Sequence, residues 1–387
     1  MKIAVLAHLK YPIAQPFAGG LEMHTHLLTR LLREAGHEVT LFCARGSDPA
    51  LGPAEICDPT GEGRGDPVLQ ATIDEVEARA YAEIVERVAG GGFDLVHNNC
   101  LHDVPLRRSR EIGAPMVTIL HTPPFPSLSA GVEAAAPGMA FAAVSRTLAQ
   151  EWQALVPAAH VIGNGIDLSA FAFRPEAHAE PYAVWSGRIV PEKGLHLAID
   201  AVRLAGLPLR FAGPRNDTGY WYNEIVPRLG PDLVDLGHLA QGDLAVQIGG
   251  ARVALVTPRW EEPFGLVVAE AIACGTPVAG FRRGALPEIL DRTCGRLARA
   301  DDVRDLARAI RAAMTLDRRA CRNRAETLFD AATMTRRYED LYRRLLARAA
   351  GPDAIPSSAS LADMARRHSK LRRSSLQSLS SYLRQRT

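Results

Sequence analysis

The chain has no Cys-x-x-Cys pair. Its six cysteines lie apart, at positions 43, 57, 100, 274, 294 and 321, a spacing that indicates neither a zinc site nor a disulfide framework. It has no run of about 18 apolar residues, the length a membrane-spanning helix needs. The opening segment Met1–Ala7 is too short for the core of a signal peptide and runs straight into a patterned domain, so a cytoplasmic location is expected. No Gly-x-Gly-x-x-Gly occurs, and no acid ends the second strand at Phe42-Cys43-Ala44; both speak against NAD or FAD. A large excess of one charge is missing too. The 45 Lys and Arg face 43 Asp and Glu, which argues against nucleic acid as a main partner.

What is present is a repeating strand–helix rhythm. The 387 residues suggest two domains, and 47% hydrophobic with 23% charged residues is ordinary globular composition. Ile3–Ala7 predicts a buried strand, Leu21–Ala35 an amphipathic helix stopped by Gly36, and Glu38–Cys43 a second strand. Further units follow to about residue 155, among them helices around Ile73–Val88 and over Arg146–Leu155. Val161–Pro181 then breaks the rhythm with Gly163-Asn164-Gly165 and two prolines, and the pattern restarts at Tyr182. Two successive runs of this kind predict an α/β protein of two Rossmann-like, doubly wound domains facing across a cleft. The expected divisions are 1–163 and 164–332, a helix over 333–350 that returns to the first domain, and a tail over 351–387. The tail carries seven Lys and Arg against two Asp and is rich in serine. It is read as a solvated segment; its alternative is a short helix with Leu371, Leu376, Leu379 and Leu383 against an anionic membrane surface.

Chemistry-bearing residues gather at strand ends. Val253–Thr257 predicts a strand, and a helix after Pro263 is stopped by Gly275. Glu262 falls on the loop between them, where open α/β sheets bind ligands. Glu270 falls inside the helix among Ala, Ile, Leu and Val, where a carboxylate is costly unless something pairs with it. Gly19-Gly20 precede a helix, whose free amides suit an anion, although a plain loop pair looks the same. Arg188 and Lys193 bracket a strand–loop–helix turn, two cations that could neutralise a diphosphate or form a solvated basic loop. His121 closes the strand Met116–Leu120 and could face the cleft or be structural. His8, His24, His26, His97 and His102 are read as surface or hydrogen-bond-satisfied residues. Gly280–Glu288 is either a close backbone approach to a ligand or a turn leading into a Pro-Glu helix start.

In this order the segments resemble glycosyltransferase family 4. The resemblance covers roughly residues 1–349 and rests on Gly19-Gly20, His121-Thr122-Pro123, Gly163-Asn164-Gly165-Ile166-Asp167, Gly187-Arg188 with Lys193-Gly194, and Glu262 and Glu270 with seven residues between them around Pro263-Phe264-Gly265. It implies the GT-B fold and a retaining transfer of a hexose-type sugar from a nucleoside-diphosphate sugar, such as a UDP- or GDP-sugar, to a hydroxyl acceptor. It implies that Arg188 and Lys193 hold the diphosphate, Glu262 contacts sugar hydroxyls, Glu270 binds the ribose and His121 orients the sugar. It places Gly19, Gly20, Phe264, Gly265 and Leu266 against phosphate or sugar and Leu239 beside the nucleobase. No cofactor or metal is implied, and no Asp-x-Asp motif occurs in a suggestive loop. Departures are Gly284-Ala285 where the family often has Gly-Gly, and Asp291–Gly295 where it often has a Gly-x-x-Gly turn. A GT-B phosphorylase-like enzyme and a non-catalytic nucleotide-sugar-binding protein are the alternatives.

Overall fold

The computed structural model describes residues 1–63 and 65–350; the predicted tail over 351–387 lies outside them. Among the described residues thirteen strands form two sheets, parallel throughout. The first sheet holds β1 (Lys2–Leu6), β2 (Glu38–Cys43), β3 (Pro53–Glu55), β4 (Leu95–Asn98), β5 (Met116–Leu120), β6 (Ala140–Ala143) and β7 (His160–Val161) in the order β3-β2-β1-β4-β5-β6-β7. The second holds β8 (Ala183–Ser186), β9 (Leu209–Ala212), β10 (Leu233–Asp235), β11 (Val253–Val256), β12 (Val278–Phe281) and β13 (Gly295–Ala298) in the order β10-β9-β8-β11-β12-β13.

The central strands read as unbroken apolar runs because crossover helices cover both faces of a parallel sheet. In β5 every residue is buried, and in β1 every residue after Lys2. The register sets Ile3 beside Val39 on one side and Leu95 on the other. The helix Gly20–Glu34 presses Leu27, Leu28 and Leu32 onto this sheet. In the second core, Trp185, Leu209, Phe211, Leu255 and Phe281 meet Leu195, Ile199 and Val202 from the helix Leu195–Ala205, with Leu306 and Ile310 from the helix Val303–Ala313. Each such large side chain contributes about 1.5–3 kcal/mol by leaving water.

Strand order reverses between β1 and β4 in the first sheet and between β8 and β11 in the second. Such switch points open a crevice at the carboxyl ends of the strands. His8 and Asn99 follow β1 and β4; Arg188 and the loop to Glu262 follow β8 and β11. Met1–Leu341 is one compact unit. A helix runs Ala331–Ala349, and its Glu339 accepts a 2.9 Å hydrogen bond from His37 Nε2 of the first half.

The expected elements differ from the structure mostly at their ends. The helix read around Ile73–Val88 starts earlier, at Pro67, where Asp66 accepts bonds from the amides of Val68 and Leu69. The helix read over Arg146–Leu155 ends at Glu151. The short strand β3, the helix Pro126–Ala134 and the helical stretch Thr218–Arg228 are not among the expected elements.

Candidate functional site

A cavity of about 480 Å³ runs between the two halves, within the size range of small-molecule sites. Every predicted site residue lines it: Gly19, Gly20, His121, Arg188, Lys193, Leu239, Glu262, Phe264, Gly265, Leu266 and Glu270. The two walls touch at Gly20, where an added Cβ would come within 2.9 Å of Leu266 Cδ1.

On the second wall the charged groups are held by one another. Lys193 ends the short turn Pro191–Lys193 just before the helix Leu195–Ala205. Thr257, at the end of β11, donates its hydroxyl to the carbonyls of Lys193 (2.9 Å) and Gly194 (3.1 Å) and accepts from Trp185 Nε1 (3.1 Å), which pins the turn to the sheet. Lys193 Nζ lies 2.7 Å from Glu262 Oε2, and Trp260 Nε1 donates to the same oxygen at 3.1 Å. Arg188 Nη1 reaches across to Glu62 Oε1 at 3.0 Å and its Nη2 lies 3.6 Å from Glu192. Both cations are therefore neutralised by carboxylates, one pair within the wall and one across the cleft.

Glu262 keeps its place through Gly284. That residue has φ +51°, and any Cβ there would run into the backbone of Glu262. Its amide donates to Glu261 Oε2 at 2.6 Å, and Ala285 N donates to Glu262 O at 2.8 Å. The glycine thus lets two loops pack together behind the acid. Of the two readings of Gly280–Glu288, the structure shows the turn and the Leu286–Ile289 helix. Glu288 does more than start that helix: its carboxylate accepts from the amides of Arg146 and Thr147, at 3.0 and 3.1 Å, at the start of the helix Arg146–Glu151 in the first half.

Glu270 sits in the helix Leu266–Ala273, whose other residues are all apolar. It is 5% exposed. Among the described residues its carboxyl has no hydrogen-bond or ion-pair partner, and burial alone pushes its pKa up to about 7. The expectation that a partner pairs with it is not met within the protein.

The first wall carries imidazoles. His121 Nε2 lies 2.9 Å from Asn99 Oδ1. Burial and then the neighbouring His24, His97 and His8 hold its pKa well below the usual histidine value, so it is neutral near pH 7. His8 Nε2 lies 2.7 Å from Glu22 Oε1, both buried. Burial pushes the Glu22 carboxyl up, yet the net shift is downward because His8 stabilises its ionised form. Tyr11, Glu62, Thr122 and Asn164 line the same cleft.

The reading of the lesser histidines holds for His8, which Glu22 satisfies and which also lines the cleft, and fails for His24. His24 is fully buried and neither ring nitrogen has a hydrogen-bond partner; burial lowers its pKa to about 4, and the neutral ring packs as an aromatic against His121 and Tyr338. His8 and Asn99 follow central strands as His121 does, so the strand-end argument applied to His121 would have found them.

Comparison with known proteins agrees with this geometry. Residues 18–170 match the model of Glycosyltransferase Family 4, and residues 170–328 match that of Glycosyl transferases group 1. The MMP alpha-(1->4)-mannosyltransferase of Mycolicibacterium hassiacum is 26% identical over 366 residues, covering 79% of this chain and 87% of the relative. The glycogen synthase of Mycobacterium tuberculosis is 28% identical over 84% of this chain and 91% of its own. Among solved structures, the sucrose-phosphate synthase of Thermosynechococcus elongatus superposes with a TM-score of 0.74 at 21% identity, covering 90% of this chain and 100% of that one. Anabaena HepE, solved in complex with UDP-glucose, gives 0.70 at 18% identity, covering 89% and 100%. Two Rossmann-like halves, a cleft at both switch points and the two adjoining family matches lead to one conclusion: the chain has the GT-B fold and resembles glycosyltransferase family 4 along both halves.

Proposed function

We propose that this glycosyltransferase moves a hexose-type sugar, with retention at the anomeric carbon, from a nucleoside-diphosphate sugar to a hydroxyl acceptor. The observation that carries the donor assignment is Glu270, a buried carboxyl with no protein partner, in the same cavity as two cations. Such a group requires ligand donors, and the paired hydroxyls of a ribose supply them. Arg188 and Lys193 then take the diphosphate and stabilise the charge that develops on it as the glycosidic bond breaks. Glu262, released from Lys193, accepts from hydroxyls of the sugar, and neutral His121 orients that sugar from the opposite wall. Amides of Gly19, Gly20 and the Phe264–Leu266 turn hold phosphate or sugar, and Leu239 lies beside the base. No metal or cofactor enters the proposal, because the two cations carry the neutralising role. Retention follows from the family resemblance rather than from a protein nucleophile, and Glu262 is not assigned as one. The names of the relatives, a mannosyltransferase and a glycogen synthase, support a hexose, and the complex of HepE with UDP-glucose supports a nucleotide donor.

A phosphorylase-like activity would use the cations but leave Glu270 unexplained. A non-catalytic binding protein would not need Lys193 and Glu262 set together in the cleft. Calorimetry with UDP, GDP and ADP tests the reading: one of them should bind, and binding of none overturns it. NMR of the transferred sugar gives the anomeric outcome, and an inverted product overturns retention. We place the enzyme in the cytoplasm, with any membrane contact made by the basic tail; among the described residues no helix is long and apolar enough to cross a membrane.

A further inference from the structure

Asn99 is held at the carboxyl end of β4 by its own amide, which donates to Leu6 O at 2.8 Å. It is fully buried. Its side-chain oxygen meets two imidazole nitrogens, His121 Nε2 at 2.9 Å and His97 Nε2 at 3.1 Å. Its Nδ2 donates to Thr25 Oγ1 at 3.2 Å, from the helix Gly20–Glu34. A carboxamide oxygen only accepts, so each imidazole facing it must carry its proton on Nε2. In the structure the amide nitrogen faces Thr25 and the amide oxygen faces the two rings. Among the described residues His121 Nδ1 makes no hydrogen bond, and His121 lines the cavity.

We propose that Asn99 is a positioning residue that fixes His121 in the Nε2–H tautomer, so that Nδ1 presents a lone pair to a hydroxyl of the donor sugar. The proposal rests on the reading of His121 as the sugar-orienting residue. A neutral imidazole has one donor and one acceptor nitrogen, and the hydrogen bond made by one decides the role of the other. With the proton on Nδ1 the ring would offer the sugar a donor instead. As an imidazolium it would offer two donors and no acceptor. The surroundings work against the imidazolium as well. His24 from the Gly20–Glu34 helix packs edge-on at 5.1 Å between ring centroids. His97 from β4 shares the Asn99 oxygen, and Tyr338 from the last helix packs on both His24 and His97. His8, after β1, is engaged by the Glu22 carboxylate.

The variants Asn99→Ala and Asn99→Asp test this, with His121→Ala as reference. Asp keeps the shape of Asn and covers the case in which the Ala variant does not fold. Long-range proton–nitrogen NMR of protein labelled with ¹⁵N in the imidazoles reads the tautomer directly, and His121→Ala assigns the signal. The wild type should show neutral His121 protonated on Nε2 from pH 6 to 8. Asn99→Ala should mix the tautomers and lower the rate of donor hydrolysis about tenfold, the size of one misdirected hydrogen bond. Hydrolysis is followed with UDP-glucose and with GDP-mannose. Asn99→Asp places a carboxylate against His121, favours the imidazolium and raises its pKa. Its hydrolysis rate should fall as pH drops through that raised pKa and recover above it, whereas the wild-type rate stays flat. A His121 protonated on Nδ1 in the wild type overturns the proposal even if neither donor is hydrolysed. So do Asn99 variants with the wild-type rate and pH profile while His121→Ala is slow. If His121→Ala itself turns over like the wild type, the underlying reading of His121 fails instead.

Discussion

The two walls of the cleft solve opposite problems. The second wall gathers full charges, Arg188, Lys193 and Glu262, and holds them in ion pairs. On the first wall burial keeps His121, His97 and His24 neutral, and His121 and His97 share one amide oxygen. In the proposed reaction the cations lie where a leaving diphosphate needs compensation, and neutral imidazoles lie where a sugar needs orientation. An interaction strong enough to hold a diphosphate would hold a neutral sugar too loosely in direction, and a single imidazole would neutralise no phosphate.

Breaking the charged wall should have the largest effect. Glu262→Ala is expected to reduce transfer by roughly 100- to 1,000-fold, with a melting temperature close to that of the wild type because Glu262 lies on a loop; a variant with near wild-type turnover would remove Glu262 from the sugar site. Lys193→Ala should weaken nucleoside-diphosphate binding about tenfold or more, since a charge-assisted contact is lost, and calorimetry reads it directly. Intact affinity would make the phosphate assignment wrong.

Glu270 allows a test by pH. Its folded-state pKa of about 7 lies above the ordinary carboxyl value. A raised folded value means stability that is present below the unfolded pKa and lost as pH rises through about 7. The ligand-free protein should therefore lose stability between pH 5 and 7, by on the order of 3 kcal/mol, and Glu270→Gln should flatten that slope while weakening nucleotide binding. A wild type whose melting temperature is constant over that range would contradict a buried, unpartnered carboxyl. The effect at Glu62 should be smaller. Glu62→Gln frees Arg188 from a half-exposed partner and should tighten nucleoside-diphosphate binding only a few-fold. The smallest expected change is none: EDTA should leave transfer untouched, and loss of activity restored by a divalent cation would bring a metal into the reaction.

Much of this was legible from residue order. Ile3, Val253 and their neighbours announce buried parallel strands because such strands are apolar on both faces. Gly275 and Gly36 mark helix ends because left-handed backbone favours glycine. Glu270 announces itself as an acid in an apolar helix. The partners were not legible. Nothing in the spacing says that Lys193 meets Glu262, or that Arg188 meets Glu62 from the other half, because these pairs depend on how two sheets face each other. The state of His24 was illegible for a different reason. A polar residue in an otherwise ordinary helix shows no sign of burial until its neighbours are placed around it, whereas Asn99 follows a central strand and yields to the strand-end argument.

In the proposed reaction the ion pairs bear on turnover as well as on binding. When a nucleoside diphosphate leaves, Arg188 and Lys193 need not stand as bare charges in a half-closed cleft; Glu62 and Glu262 are already within reach to take the place of the departing phosphates. Donor binding and product release then become exchanges of one counter-charge for another. The barrier to letting go of the anionic product is lowered by the same carboxylates that the incoming donor must displace, so each catalytic cycle ends on the state from which the next begins.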